Sequence, residues 1–302
     1  MTSQRAFVFA VIGLFAFAQP VHRASNADHD KAYWQAIAAD KYHVPVGASV
    51  GDLTNEIAER LASPDPEWRD TIAYNTLASW IYQQRLLDAA ELRALTARLT
   101  TNLQVHVGST DTDDVFRRSF SALVLSVIVA RDNDAPVLES ADIRPTLDAA
   151  LGYLAAEQDV RGYVPVKGWA HSAAHTADLL KFLARNRFVT PADHARILTA
   201  LTHKLTTTPA VFVFGEDERM ARAVLSVVKR ADFDADGFRA WIASSTPKFP
   251  PESILSVSSL QAFQNLKNLL SKLEVLMATD AQPMAGETAA LDLVRAALKS
   301  AY

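Results

Sequence analysis

The chain of 302 residues contains no cysteine, so no disulfide and no lipidated thiol can contribute to its structure or location. Stability must therefore come from a packed core. An excess of positive charge is also missing, because 30 Lys and Arg residues face 34 Asp and Glu residues. A net charge of -4 gives no general attraction to nucleic acid or to an anionic membrane surface, and we expect neither as a partner.

Nucleotide-binding and hydrolase signatures are absent as well, since the chain has no Walker loop, no GxSxG elbow and no HExxH motif. Runs of alternating apolar and polar residues at strand spacing are almost absent. The one strand-like run, VFVF at 211–214, is too short to seed a sheet. These absences leave an all-α fold as the prediction.

The N-terminus carries one uninterrupted apolar run, from Ala6 to Ala18, preceded by Arg5. The run is shorter than the roughly 20 residues that a membrane-spanning helix needs, and it ends in the small residues that signal peptidase prefers. We interpret residues 1–18 as a signal peptide, with an uncleaved anchor as the alternative. The sequence thus predicts a periplasmic or secreted protein, with residues 19–302 as one domain and no membrane span after cleavage.

Helical periodicity, interrupted by clusters of Pro, Gly, Asp, Ser and Thr, covers almost all of the remaining chain. The predicted helices span residues 28–41, 52–62, 66–84, 89–106, 112–130, 144–157, 169–185, 191–205, 216–229, 234–244, 251–276 and 286–301.

Four of these helices carry an ionisable residue in apolar surroundings near their starts, namely Asp70, Arg118, His171 and Glu218. The interval between them is about 50 residues, roughly one long helix hairpin. Stacked hairpins of a HEAT-like α-solenoid would place these residues at equivalent points, lining one groove. The other interpretation is that charged residues simply favour first helical turns and solvent.

The stretch RGYVPVKGWAHSAAHTADLL, residues 161–180, concentrates the candidate functional residues. On a helix that advances about 100° per residue, His171, His175 and Asp178 share one narrow face. An Ala and Leu face opposite them is the natural core side. We therefore expect both histidines to face water or a groove.

Three interpretations of this polar face remain open. It could be a solvated or hydrogen-bonded surface without a ligand. It could be a zinc site, because His at i and i+4 can bind one metal while Asp178 acts as a third ligand or orients a histidine. It could be an anion pocket, because Arg161, Lys167 and the free N–H groups of a helix start near Gly168 favour negative charge.

The same stretch, with FRRSFSALVLS upstream and GEDERMARAV downstream, resembles the bacterial family catalogued as domain of unknown function 2785. The resemblance covers about residues 60–245 and is most specific in GWAHSxAHxxDLL. It implies an all-helical, HEAT-like superhelix without an established activity. The positions that match the motif are Arg118, Ser119, Gly162, Gly168, Trp169, His171, His175, Asp178, Glu218 and Arg219.

Taken together, the residues favour an exported binding or scaffold module whose partner is a small anionic ligand or another protein or peptide. Its predicted groove consists of Arg118, Arg161, Lys167, Trp169, His171, His175, Asp178, Glu218 and Arg219. The alternative is a metal-assisted hydrolase, with His171, His175 and an acidic residue holding the metal and Glu218 as general base.

The interpretation of residues 1–18 predicts that the mature protein begins near Gln19 and is found in the periplasm, because signal peptidase cleaves after the small residues that end the apolar run. N-terminal sequencing of protein from the native cell measures this directly. Protein that retains Met1 and fractionates with the cytoplasm would contradict it.

Overall fold

The computed structural model describes residues 28–301, and the segment interpreted as a signal peptide lies outside them. The described chain is all-α, as the sequence predicts, and each of the twelve predicted helices has a counterpart. The helices are α1 Lys31–Ala39, α2 Val50–Glu59, α3 Asn75–Ala78, α4 Ala89–Asn102, α5 Asp114–Asp134, α6 Ser140–Ala156, α7 Ser172–Leu183, α8 Pro191–Thr207, α9 Glu216–Val228, α10 Ala235–Ser245, α11 Val257–Ala278 and α12 Glu287–Lys299. Short 3-10 turns cover Arg60–Ala62 and Glu252–Ile254.

Local capping explains several of the helix boundaries. Asp88 and Glu91 form a reciprocal capping box at the start of α4, and Thr190 with Asp193 does the same for α8, where a proline occupies the first turn. Each box satisfies backbone N–H groups that have no partner within the helix. At α11 the cap is Ser256, so the helix begins six residues after the predicted start at Pro251.

Two features depart from plain α-helix. The predicted helix at 66–84 consists of α3 flanked by π-helical segments, Glu67–Tyr74 and Ser79–Gln83. A short antiparallel hairpin pairs β1, Tyr163–Val164, with β2, Gly168–Trp169. The pairing of Tyr163 with Trp169 was not predicted, because neither strand is long enough to show alternation.

Helices α3 to α12 form two neighbouring rows. Helix α3 packs on α5, α5 on α7, α7 on α9 and α9 on α11. The intervening helices form the second row, in which α4 packs on α6, α6 on α8, α8 on α10 and α10 on α12. Stacked helix hairpins produce this neighbour order, whereas the winding of the rows into a superhelix remains a prediction.

A buried ion pair joins α5 to the end of α6. Nε of Arg118 donates to Oε2 of Glu157 at 2.6 Å, and Nη2 donates to Oε1 at 3.1 Å. Nη1 donates to the carbonyl oxygens of Val105 and His106, which follow α4. Arg118 is completely buried and Glu157 nearly so. The guanidinium therefore fixes three segments and does not line an open groove, contrary to the prediction.

Replacing Arg118 by Met should destabilise the protein by about 3–5 kcal/mol, because it leaves the Glu157 carboxylate buried without its partner. Arg98→Met is the matched control, since the pair of Arg98 with Glu59 is partly exposed and should contribute less than about 1 kcal/mol. Urea unfolding measures both. Equal, small losses in the two variants would contradict a structural role for Arg118.

Candidate functional site

The stretch at 161–175 forms a corner between the hairpin and α7. Backbone pairing continues beyond β2, because Ala170 N donates to Gly162 O and His171 N donates to Arg161 O. His171 then adopts a left-handed backbone with φ 48°, and α7 begins only at Ser172. The predicted helix start at Trp169 is therefore wrong, and His171 does not share a helix face with His175.

His171 is packed between an exposed ring and a buried acid. Its imidazole stacks on Trp169 with ring centroids 4.2 Å apart. Its Nε2 is buried without a hydrogen-bond partner among the described residues, and the nearest carboxylate oxygen, Oε1 of Glu216, is 3.9 Å away. Burial, followed by the positive charge of Arg219, lowers the pKa of His171 to about 4. Burial also raises the pKa of Glu216.

His175 lies in the core, contrary to the prediction that it faces water or a groove. Its Nδ1 is 2.8 Å from Oγ of Ser119, and the Ser119 hydroxyl also contacts the Ala170 carbonyl. Because a carbonyl can only accept, the hydroxyl donates to Ala170 and its oxygen accepts from Nδ1–H of the histidine. The rings of Phe120 and His175 are nearly perpendicular, with their centroids 4.9 Å apart. Burial lowers the pKa of His175 well below its ordinary value, so the ring is neutral.

The geometry does not support the proposed zinc site. Asp178 is buried, and its carboxylate accepts from Nζ of Lys181 at 3.1 Å and from Nη1 of Arg219. His175 uses Nδ1 for Ser119, and His171 has left the helix. Within residues 28–301 no group of three or more His, Asp or Glu side chains is placed to hold a metal ion.

Glu218, the predicted general base of the hydrolase alternative, forms a local ion pair instead. Its Oε1 accepts from Nη2 of Arg222 at 2.7 Å, one helical turn along α9. This hydrogen bond lowers the pKa of Glu218, which makes the carboxylate a weaker base. The position of Glu218 is therefore better explained by the helix dipole, which favours an acidic residue in the first turn, and by its pairing at i+4 than by a catalytic role.

Both cations of the predicted anion pocket are already paired with carboxylates of the protein. Arg161 donates to Asp159 through Nε and Nη2, and Nζ of Lys167 lies 2.6 Å from Oδ1 of Asp113. The starts of α5, α7 and α9 do meet, as Ser119 with His175 and His171 beside Glu216 show. Because Arg118 is completely buried, the four residues at intervals of about 50 do not all line one open groove.

A cavity opens between α3 with its π-helical neighbours, the C-terminal halves of α5 and α7, and the start of α9. We call it the central cavity, and its volume is about 610 Å³. Of the predicted groove residues, Asp178 and Arg219 lie in its wall. The complete wall consists of Tyr74, Ala78, Tyr82, Gln83, Leu123, Ser126, Val127, Ala130, Asn133, Asp134, Asp178, Lys181, Phe182, Arg185 and Arg219.

Sequence reasoning missed two cations of this wall, Lys181 and Arg185. Their spacing of four residues within the predicted helix at 169–185 was a usable signal, because residues at i and i+4 share a helix face. In the structure α7 ends at Leu183, and Arg185 lies in the turn that follows it. The apolar wall from Tyr74 and Tyr82 could not be found in this way, since it comes from a distant segment.

Residues 103–275 match the model of a family described as "Protein of unknown function (DUF2785)". The chain belongs to this family. The matched range begins and ends further along the chain than the predicted resemblance at about 60–245, and it includes Arg185 and Arg219 but not Tyr74. No curated protein and no solved structure matches the chain. Among residues 28–301, no helix is both long and apolar enough to cross a membrane.

The low pKa of His171 predicts a pH-dependent stability. The folded state holds the imidazole neutral down to about pH 4, whereas the unfolded chain takes up the proton near 6.5. The stabilisation is therefore present above pH 6.5 and lost as the pH falls to 4, by up to about 3 kcal/mol. Protonation of Glu216, whose pKa is raised, acts in the opposite direction.

His171→Phe keeps a ring against Trp169 but removes the titrating group, so its stability should fall less steeply between pH 6.5 and 4. Urea unfolding of both proteins at several pH values measures the difference, in which the contribution of Glu216 largely cancels. Parallel curves for the wild type and the variant would show that His171 does not titrate as described.

Proposed function

We propose that this protein is a binding module whose central cavity takes a small organic anion. The observation that carries the proposal is the state of Arg185, a cation in the cavity wall that has no carboxylate partner among the described residues. Its Nε donates to Oγ of Ser226 at 2.9 Å, which orients the guanidinium without neutralising it. The Arg185 side chain is exposed and therefore accessible to a ligand, and the protein on its other side lowers its pKa by desolvation.

The charges around Arg185 add to the positive excess. Lys181 and Arg219 share one carboxylate, that of Asp178, and the second acid of the wall, Asp134, is paired with Arg85 outside the cavity. Three cations therefore face the cavity with one local anion between them. A bound carboxylate, sulfonate or phosphate group would restore the balance through charge-assisted hydrogen bonds.

The opposite wall of the cavity is suited to an apolar group. Tyr74, Tyr82, Leu123 and Val127 line it, and Phe182 lies next to the cations. The guanidinium of Arg185 is 5.4 Å from the Phe182 ring centroid, and Nζ of Lys181 is 4.4 Å from it. A volume of about 610 Å³ is in the usual range of small-molecule sites. The ligand class is thus an anion that also carries an apolar or aromatic part.

An extracytoplasmic site of action is part of the proposal, and it is supported by the apolar run at residues 6–18. An acidic peptide remains the other candidate ligand, because a side chain of a partner could present the same anionic group. Size separates the two candidates, since a peptide would need to extend beyond the cavity.

Titration with 1-anilinonaphthalene-8-sulfonate, an aromatic anion whose fluorescence rises on binding, tests the proposal. Arg185→Gln should raise the Kd of the dye about tenfold, as expected for losing one hydrogen bond to a charged group. Increasing salt should weaken binding to the wild type more than to the variant.

Arg222→Gln is the matched control, because Arg222 lies on α9 outside the cavity and pairs with Glu218. It should bind the dye like the wild type. Equal weakening by both variants, or none by Arg185→Gln, would contradict an anion site at Arg185. Weak binding of the dye together with tight, Arg185-dependent binding of an acidic peptide would favour the peptide ligand.

A further inference from the structure

A second cavity, of about 270 Å³, lies between α8 and α10 in the other row of helices. It shares no wall residue with the central cavity. The wall consists of Pro191, His194, Ala195, Leu198, Thr199, Val227, Phe233, Asp234, Gly237, Phe238, Ala240, Trp241 and Ser244. We refer to it as the His194 cavity.

Aromatic rings dominate the apolar part of the His194 cavity. The Phe233 and Phe238 ring centroids are 5.5 Å apart, and those of Phe238 and Trp241 are 5.3 Å apart. The indole Nε1 of Trp241 already donates to Thr202 and to the Leu198 carbonyl. This wall therefore offers rings for stacking but no free donor from Trp241.

His194 supplies a buried hydrogen-bond acceptor without a partner. The residue is 3% exposed, and its Nε2 lies 3.0 Å from the carbonyl oxygen of Ala184. A carbonyl accepts, so Nε2 carries the proton and Nδ1 has a free lone pair. Nδ1 is buried and has no partner among the described residues. Leaving such an atom unpaired is costly, so a donor from a bound molecule would be favourable.

The charges of the wall argue against an ionic ligand. The wall contains no Lys or Arg, and its one acid, Asp234, accepts from the backbone N–H of Gly237 as the cap of α10. Burial lowers the pKa of His194, so the imidazole is neutral. A neutral molecule with an aromatic ring and one donor matches these properties.

We propose that the His194 cavity binds a small neutral aromatic molecule with one hydrogen-bond donor, such as a phenol or an indole. The donor bonds to Nδ1 of His194, and the ring packs against the wall formed by Phe233 and Trp241. An apolar cavity of about 150 Å³ is enough for benzene, so about 270 Å³ accommodates one or two rings. This site is independent of the central cavity and of the anion proposed for it.

Paired probes test the hydrogen bond. Indole and benzofuran have nearly the same shape, but only indole carries a donor, and phenol and anisole differ in the same way. Isothermal titration of the full chain should show indole binding about tenfold more tightly than benzofuran, because benzofuran leaves Nδ1 unpaired. Indole should also shift the 15N resonance of His194 Nδ1.

Two variants complete the test. His194→Phe should abolish the preference for indole, and Ala195→Trp should block the cavity from a position that is exposed on α8. If His194→Phe does not fold, the probe pairs and Ala195→Trp still decide the outcome. Arg185→Gln should leave indole binding unchanged, which separates this site from the central cavity.

The proposal is wrong if indole shows no saturable binding, if benzofuran binds as tightly as indole, or if Ala195→Trp binds indole like the wild type. Loss of indole binding in Arg185→Gln would place the site in the central cavity and overturn the assignment to His194.

Discussion

Helix α7 is buried on almost every side, between α5 and α9 in its own row and α6 in the other. Each polar side chain on it must therefore find a partner inside the protein. Ser172 donates to the Asp159 carbonyl, Thr176 donates to the Ser172 carbonyl, and His175 bonds to Ser119. Asp178 differs from these residues because its partners, Lys181 and Arg219, lie in the wall of the central cavity.

Because of this constraint, the polar residues at the helix starts stabilise the fold, whereas the charges that could bind a ligand lie in the central cavity. At the starts of the helices, Arg118 pairs with Glu157 and Lys167 pairs with Asp113, so these charges already have partners within the protein. Beyond the C-terminal end of α7 the charges no longer balance, because Arg185 has no carboxylate partner among the described residues. The proposed binding function therefore fits the central cavity better than the motif-rich corner at His171.

The helices were predictable because periodicity and capping are local, as the box of Thr190 and Asp193 illustrates. The site was less predictable for two physical reasons. A helical wheel assumes that one side of the helix faces solvent, and α7 has no such side. It therefore predicts an exposed His175, whereas the residue is buried. The left-handed backbone of His171 depends on hairpin pairing that two-residue strands do not reveal. Arg185 was missed because an unpaired charge is defined by its neighbours in space.

Nuclear magnetic resonance of the arginine Nε–Hε groups tests whether an anion binds at Arg185, because it reports on each guanidinium separately. On addition of 1-anilinonaphthalene-8-sulfonate, the signals of Arg185 and Arg219 should shift along one saturating curve, while those of Arg118 and Arg222 stay fixed. Shifts at Arg118, or equal small shifts at all four arginines, would contradict a specific anion site in the central cavity.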